Sequence, residues 1–315
     1  MRIARGLAEV PEALPAPVLA LGTFDGIHVG HRQVIGGAMA RARDLEGTAV
    51  VVTFDPHPLE VLRPGTDPVL LTTLDERLAL LDDAGVDLTV VLPFDLAFAQ
   101  IPAETWLDEI LAGRLGACAV FAGSSYTFGH RRQGTAARLA EWGRDRGVEV
   151  HLIPAVLVSG EPVSSSRIRT ALREGLVDEA ARLLGRWYGL GGPVTSGQGR
   201  GRTIGFPTAN LVPPARKVLP GQGVYATIVD VDGRRYGGAT NVGRRPTFGG
   251  GDVTVETHLL GFAGELSGRT TVVSFVQRLR EERTFPGADA LVRQIHDDVE
   301  HARQLLAGVG PGIIR

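Results

Sequence analysis

Apolar and polar positions change period repeatedly along the first half of the chain. Short apolar runs at 18–21 (VLAL), 49–54 (AVVVTF), 87–92, 119–121 and 148–153 read as strands. Between them lie stretches with three- and four-residue spacing. In 31–45, Val34, Ile35, Ala38, Met39, Ala42 and Leu45 recur on one face, which predicts a helix. Further helices are expected over 75–84, 103–114 and 135–146, and a closing pair over 166–174 and 177–184. Strands alternating with helices predict a parallel sheet covered on both faces, a doubly wound α/β fold.

From 189 the texture changes. The chain becomes glycine-rich (GLGGPV, GQGRGRTIG) and then strand-rich. Asp232-Gly233 lies between two strand-like runs and predicts a tight hairpin. VTVETHLL and TTVVSFVQRL continue the strands, and a helix over 287–307 carries Leu291, Ile295, Val299, Leu305 and Leu306. Antiparallel strands with one helix suggest a small barrel. The break near 184–190 divides the chain into two expected domains, 1–186 and 187–315.

Composition removes several classes of function. With 43% hydrophobic and 22% charged residues, the chain can bury ordinary cores. The net charge of −2 is spread along the chain and leaves no footprint for nucleic acid or an anionic membrane. No apolar run approaches the roughly 18 residues of a membrane helix. The N-terminal MRIARGLAEVPEALPAP has no apolar core segment, so a signal peptide is not expected and the cytoplasm is the default compartment. A single cysteine, Cys118, excludes a disulfide framework and a cysteine-built zinc site. Lys217 is the only lysine, and no GK[ST] tripeptide exists. A Walker A loop and the strand lysine of a protein kinase are therefore absent. No obligate protein partner is evident.

Two segments carry candidate chemistry. GTFDGIHVGH (22–31) follows the strand at 18–21 and opens the helix at 31–45. Such a turn gathers free backbone N–H groups and the positive end of a helix dipole. His28 and His31, three apart, can face one side and stabilise phosphate oxygens as charge develops. A metal pair or a structural histidine is the plainer alternative. Farther on, Ser164, Ser165 and Ser166 precede the helical RIRTALREG, where hydroxyls and N–H groups could cradle phosphate and Arg167 could add charge. A serine-capped surface helix would look the same.

GTFDGIHVGH resembles the HxGH signature of nucleotidyltransferases, and its Phe24-Asp25-Gly26 version is similar to that of the bacterial bifunctional riboflavin kinase/FAD synthetases. TFDPHPLEVL (53–62), GSSYTFGHRRQG (123–134) and VSSSRIRTALREG (163–175) resemble further segments of that family, in the expected order. The resemblance implies ATP contacts at Gly22, Phe24, Asp25, Gly26, His28, His31, Ser164, Ser165, Ser166 and Arg167. It implies flavin contacts at Phe54, Pro56, Pro58 and Phe128; a core position for Phe128 is equally open. Where relatives carry Asn or Asp, this chain has Ser125, and the usual acidic residue after RxxG is Thr135.

GRGRTIGFPTANL (199–211) resembles the glycine-rich loop and PTAN motif of riboflavin kinases, whose fold is a six-stranded barrel. The resemblance implies kinase ATP contacts at Gly199, Gly201, Gly205, Phe206, Pro207, Thr208 and Asn210, with Thr208 and Asn210 sharing Mg²⁺ with the nucleotide phosphates. Thr208 and Asn210 are two apart in a strand-like run, so their oxygens share a face. In 253–260, Glu256 and His258 alternate away from Val253, Val255 and Thr257. Spacing alone leaves Glu256 either solvent-facing or lining a site. The family match makes it the catalytic base. LREERTF (279–285) resembles the flavin-side segment and implies Arg280 and Phe285. GFAGELSG (261–268) departs from the usual DFxxDLYG.

These resemblances imply an N-terminal adenylyltransferase making FAD from FMN and ATP, and a C-terminal barrel making FMN from riboflavin and ATP. His28, His31 and Glu256 are the expected catalytic residues. The alternative is a family member whose adenylylating half is weakened or lost, acting mainly as a kinase or flavin-binding protein.

Overall fold

In the strand Pro17–Leu21 (β2) every residue is buried, and neighbours alternate between two cores. Val18 and Ala20 join Ala49 and Val51 on one side. Leu19 and Leu21 join Val50, Val52 and Phe54 on the other. A period of two with both faces apolar is what a central strand between helix layers requires. The computed structural model describes residues 1–63, 69–195, 201, 204–244 and 253–309. The chain forms two compact units, Met1–Ser165 and Ser166–Arg315.

The first unit is built on Arg2–Arg5 (β1), β2, Thr48–Asp55 (β3), Leu88–Pro93 (β4), Ala119–Gly123 (β5) and, farther along, Glu149–Ile153 (β8). Their order is β1-β4-β3-β2-β5-β8, and every pairing is parallel. Thr127–Phe128 (β6) and Gly134–Thr135 (β7) form a small antiparallel ribbon, as do Leu157–Val158 (β9) and Glu161–Pro162 (β10). The helices are Val29–Asp44 (α1), Pro58–Leu62 (α2), Leu74–Asp83 (α3), Ala103–Thr105 (α4) and Ala136–Arg146 (α5). Val34, Ile35, Ala38 and Ala42 of α1 close one core. Leu139 and Trp142 of α5 close the other.

The strand order reverses at β2, which has β3 on one side and β5 on the other. Such a switch point opens a crevice beyond the carboxyl ends of the strands. The segments leaving those ends start at Gly22, Pro56 and Ser124.

The short helix α2 and the two small ribbons were not expected from the sequence, and two other elements also differ from it. β1 was not expected, because RIAR buries only Ala4 and shows no strand-length alternation; pairing with β4 creates it. The helix expected over 103–114 winds as α for one turn and then as a π-helix over Trp106–Arg114. The apolar pairs Trp106/Ile110 and Leu107/Leu111 suit either winding, so packing selects the wider one.

Ser165–Arg173 (α6) and Val177–Leu184 (α7) lead into the second unit, where α7 packs on the barrel. The barrel strands are Tyr188–Thr195 (β11), Ala209–Leu211 (β12), Gly223–Val231 (β13), Arg234–Arg244 (β14), Val253–Leu259 (β15) and Thr270–Arg280 (β16). They close in the order β11-β12-β15-β14-β13-β16, antiparallel throughout. Asp232 (φ 50) and Gly233 (φ 78) are both left-handed, the backbone of the two-residue hairpin that the sequence predicts. Inside, the hydroxyls of Thr227, Thr240 and Thr257 form a chain at 2.7 and 2.8 Å, so these buried polar groups satisfy one another. The helix Ala288–Ala307 (α8) lies against β13, β14 and β16. Among the described residues no helix is long and apolar enough to cross a membrane.

Candidate active sites

His28 is the N-cap of α1, and its Nδ1 accepts from His31 N at 3.2 Å. That bond leaves the neutral ring's proton on Nε2, where it can be donated outward. The rings of His28 and His31 stack with centroids 3.5 Å apart, and Phe24 meets His31 edge-on at 5.3 Å. The turn is strained: Phe24 and Ile27 hold φ values of 51 and 37, which non-glycine residues seldom adopt. At Gly26 (φ +85) a Cβ would lie 2.7 Å from Leu71 Cδ1, so only glycine fits. Two imidazoles thus stand together at the positive end of a sixteen-residue helix.

Asp25 points inward and is 1% exposed. Its Oδ1 accepts from Leu71 N and Thr72 N at 3.0 Å and from Thr72 Oγ1 at 3.2 Å. Thr72 Oγ1 in turn accepts from Gly26 N at 3.0 Å. The Asp25 carbonyl accepts from Ser165 Oγ at 2.9 Å. The turn is therefore held from below by the segment opening α3.

Near the end of β3, the Phe54 ring meets Phe94, Phe98 and Trp106 at 5.6, 5.7 and 6.2 Å. Pro56 is exposed and Pro58, half-buried, starts α2. His57 caps that helix, its Nδ1 accepting from Leu59 N at 3.2 Å. Phe128 is 7% exposed, belongs to the core cluster and stacks on Tyr126 at 5.6 Å. Thr135 Oγ1 caps α5 by accepting from Arg138 N at 3.2 Å. Ser164 and Ser166 are exposed at the start of α6. Arg167 donates from Nε and Nη2 to Glu179 Oε1, at 3.2 and 2.9 Å.

In the barrel, strand register assembles the second site. Glu256 of β15 pairs with Asn210 of β12 on one side and Asn241 of β14 on the other. Residues directly opposite share a face, so a carboxylate lies between two amides. All but Asn210 line a cavity of about 330 Å³ with Gly201, Phe206, Thr208 and His258. Val255, Thr257 and Leu259 face the barrel interior, while Glu256 and His258 face outward into this cleft. Leu291, Ile295 and Val299 of α8 roof it. Roofing by α8 is why an outward carboxylate is half-buried instead of solvated.

His258 Nδ1 donates to the Pro207 carbonyl at 2.9 Å, and Phe206 sits edge-on between His258 and His296 at 5.3 and 4.8 Å. Gly201 permits a close approach: a Cβ there would lie 2.2 Å from the Phe206 carbonyl. Gly205 has φ +86. Gly199 lies outside the described residues.

Family models match the two halves in turn. FAD synthetase matches residues 10–167 and riboflavin kinase matches 184–306. A Pseudomonas fluorescens bifunctional riboflavin kinase/FMN adenylyltransferase is 38% identical over 308 residues, covering 98% of both chains. The chain belongs to the bifunctional riboflavin kinase/FMN adenylyltransferase family. Its Escherichia coli relative of that name is 34% identical and covers 99% of this chain and 100% of its own. The Bacillus subtilis relative is 35% identical over 93% of each. A solved Streptococcus pneumoniae structure, named as a macrolide-efflux protein, superposes with a TM-score of 0.87 at 34% identity, over 96% of this chain and 98% of its own.

The ATP chemistry of the kinase/adenylyltransferase family requires a divalent metal. Among the described residues no group of three or more His, Cys, Asp and Glu could hold one. The PTAN face offers a hydroxyl, an amide oxygen and a neighbouring carboxylate, hard oxygen donors that suit a metal shared with nucleotide phosphates.

One cleft residue of this riboflavin kinase/FMN adenylyltransferase, Asn241, is not marked as a site by its spacing, although it opens NVGRRPTF (241–248), a segment that also resembles the family. Strand register is what sets it beside Glu256. Arg280, expected at the flavin, donates from Nε and Nη2 to the Asp298 carboxylate at 2.8–3.0 Å and lies 5.7 Å over the Phe285 ring. Gln294 Nε2 also donates to Asp298 Oδ1, at 2.8 Å. The pair ties α8 to β16 along one wall of the cleft. Asp298→Ala leaves a mostly buried guanidinium unpaired, and we expect about 3 kcal/mol of lost barrel stability in denaturant unfolding. The 261–268 segment packs Phe262 edge-on against Tyr236 at 5.1 Å and buries Leu266, so its altered sequence still docks on the barrel.

Proposed function

We propose how the two activities of this bifunctional enzyme are distributed over its residues, with the functional division at 186/187. The chain is a riboflavin kinase and an FMN adenylyltransferase; its substrates are ATP, riboflavin and FMN, and its final product is FAD. In the barrel, Glu256 accepts the proton of the ribityl 5′-hydroxyl as that oxygen attacks the γ-phosphate of ATP, and ADP leaves. Gly201, Gly205, Phe206, Pro207, Thr208 and Asn210 hold the nucleotide, and Phe285 and Arg280 border the flavin. Thr208 and Asn210 would hold Mg²⁺, which neutralises phosphate charge when bound. The observation that carries this assignment is the in-register placement of Glu256 between Asn210 and Asn241.

In the first unit, an FMN phosphate oxygen attacks the α-phosphate of ATP, a new P–O bond forms, and pyrophosphate departs with the broken bond's electrons. No covalent enzyme intermediate is needed. His28 donates Nε2–H toward the α-phosphate, His31 stands beside it, and the 22–26 backbone, Ser164 and Ser165 border the nucleotide. Phe54, Pro56 and Pro58 border the flavin, with Phe128 as part of the floor beneath. ATP as donor for both steps suits the cytoplasm.

Incubating the protein with riboflavin, ATP and Mg²⁺ and separating the flavins is the direct test. FAD is the expected product. FMN alone would favour the kinase-only alternative, and neither product would overturn the reading.

A further inference from the structure

Arg77, one turn into α3, is 1% exposed and is the largest side chain so fully buried among the described residues. It falls within the helix expected over 75–84, whose spacing does not distinguish it from a solvent-facing arginine. Its Nη1 donates to the Thr23 carbonyl at 2.9 Å, to Thr53 Oγ1 at 2.9 Å and to the Phe54 carbonyl at 3.1 Å. Thr53 Oγ1 itself donates to the Thr23 carbonyl at 2.9 Å. Thr23 lies in the turn that leads to His28. Phe54 opens the segment proposed to border the flavin. One charged side chain is therefore bonded to both substrate loops.

The base of that side chain is equally well fixed. Thr73 caps α3: its Oγ1 accepts from Glu76 N at 3.2 Å, and Glu76 Oε2 accepts from Thr73 N at 2.9 Å. The preceding Leu71 and Thr72 hold Asp25 and Gly26, as described above. So the segment entering α3 grips the nucleotide turn, and α3 itself reaches the end of β3 through Arg77. Burying a guanidinium is unfavourable unless its hydrogen bonds are satisfied, and Arg77 Nε has no partner among the described residues. Burial pushes its pKa down, opposed by Asp25, Asp55 and Glu60. A hydrophobic residue would fill this core position without that cost, which argues for a task other than packing.

We propose that Arg77 is a positioning residue for adenylyl transfer, setting the distance and angle between the loop that carries ATP and the loop that carries FMN. It touches neither substrate. Each loop keeps its own contacts without Arg77, so each substrate still binds. What is lost is their alignment, which matters only as the phosphate oxygen approaches the α-phosphate. This rests on the substrate placement proposed above.

The test uses the full-length enzyme with saturation kinetics for ATP and FMN. Arg77→Met is expected to lower kcat for FAD formation about 30- to 100-fold with both KM values within about threefold of wild type. Riboflavin phosphorylation by the same preparation stays at its normal rate. Arg77→Lys, which can still reach one carbonyl, recovers part of the loss. Should the methionine variant fail to fold, Thr53→Val removes the shared hydroxyl at nearly constant volume, and a kcat loss of about three- to tenfold is expected. A normal kcat, or a loss of kcat accompanied by tenfold increases in both KM values, overturns the proposal. His28→Ala, run alongside, isolates the underlying placement: if it adenylylates normally, that placement fails whatever Arg77 does.

Discussion

Replacing Glu256 by glutamine is expected to abolish FMN formation while leaving FMN-to-FAD conversion intact. Glutamine keeps the shape of the side chain and its place between Asn210 and Asn241. It loses the ability to accept a proton. General-base catalysis contributes about 10²- to 10⁴-fold, so the riboflavin phosphorylation rate should fall by that factor. KM values should change little, since neither the cavity nor its roof is disturbed. The residues proposed for the adenylyl transfer step, His28, His31, Ser164 and Ser165, lie in the other compact unit, Met1–Ser165. Measuring both half-reactions on one preparation checks this: an undiminished phosphorylation rate removes Glu256 from the base position, and loss of both activities would mean that the halves depend on one another.

His28 gives the converse result. Removing its donor at the α-phosphate is expected to slow FAD formation about 10²- to 10³-fold and leave riboflavin phosphorylation unchanged. The alanine variant also removes the N-cap of α1, which costs about 1 kcal/mol of stability by itself. His28→Asn separates the two effects. Asparagine caps as well as any residue, yet it cannot place a donor where Nε2 lies. Equal catalytic losses in His28→Ala and His28→Asn, with normal thermal stability only in the latter, would establish the chemical role. Restored activity in His28→Asn would reduce His28 to a cap.

Two of the departures from the family pattern, Thr135 and the 261–268 segment, acquire physical explanations. Thr135 spends its hydroxyl on the first turn of α5, a backbone task that an Asp or Asn would perform equally well. The 261–268 segment keeps its hold through Phe262 and Leu266. Neither observation favours a weakened adenylylating half.

What was legible in the sequence was local. The period-two runs and the helical spacing of Val34, Ile35, Ala38 and Ala42 depend on a few neighbouring side chains, and the Asp232-Gly233 turn depends on backbone conformation alone. The histidine pair was legible for the same reason, since a helix start fixes residues three apart. Asn241 beside Glu256, the inward turn of Asp25, the commitment of Arg280 to Asp298 and the bridge made by Arg77 were decided by the tertiary structure. Each joins positions from 15 to 54 residues apart that come together only when strands pair or a helix docks. The sequence by itself determined which residue types open each helix and alternate along each strand. Barrel closure and helix docking decided which of those residues meet, because register and burial belong to pairs of elements and no single element encodes them.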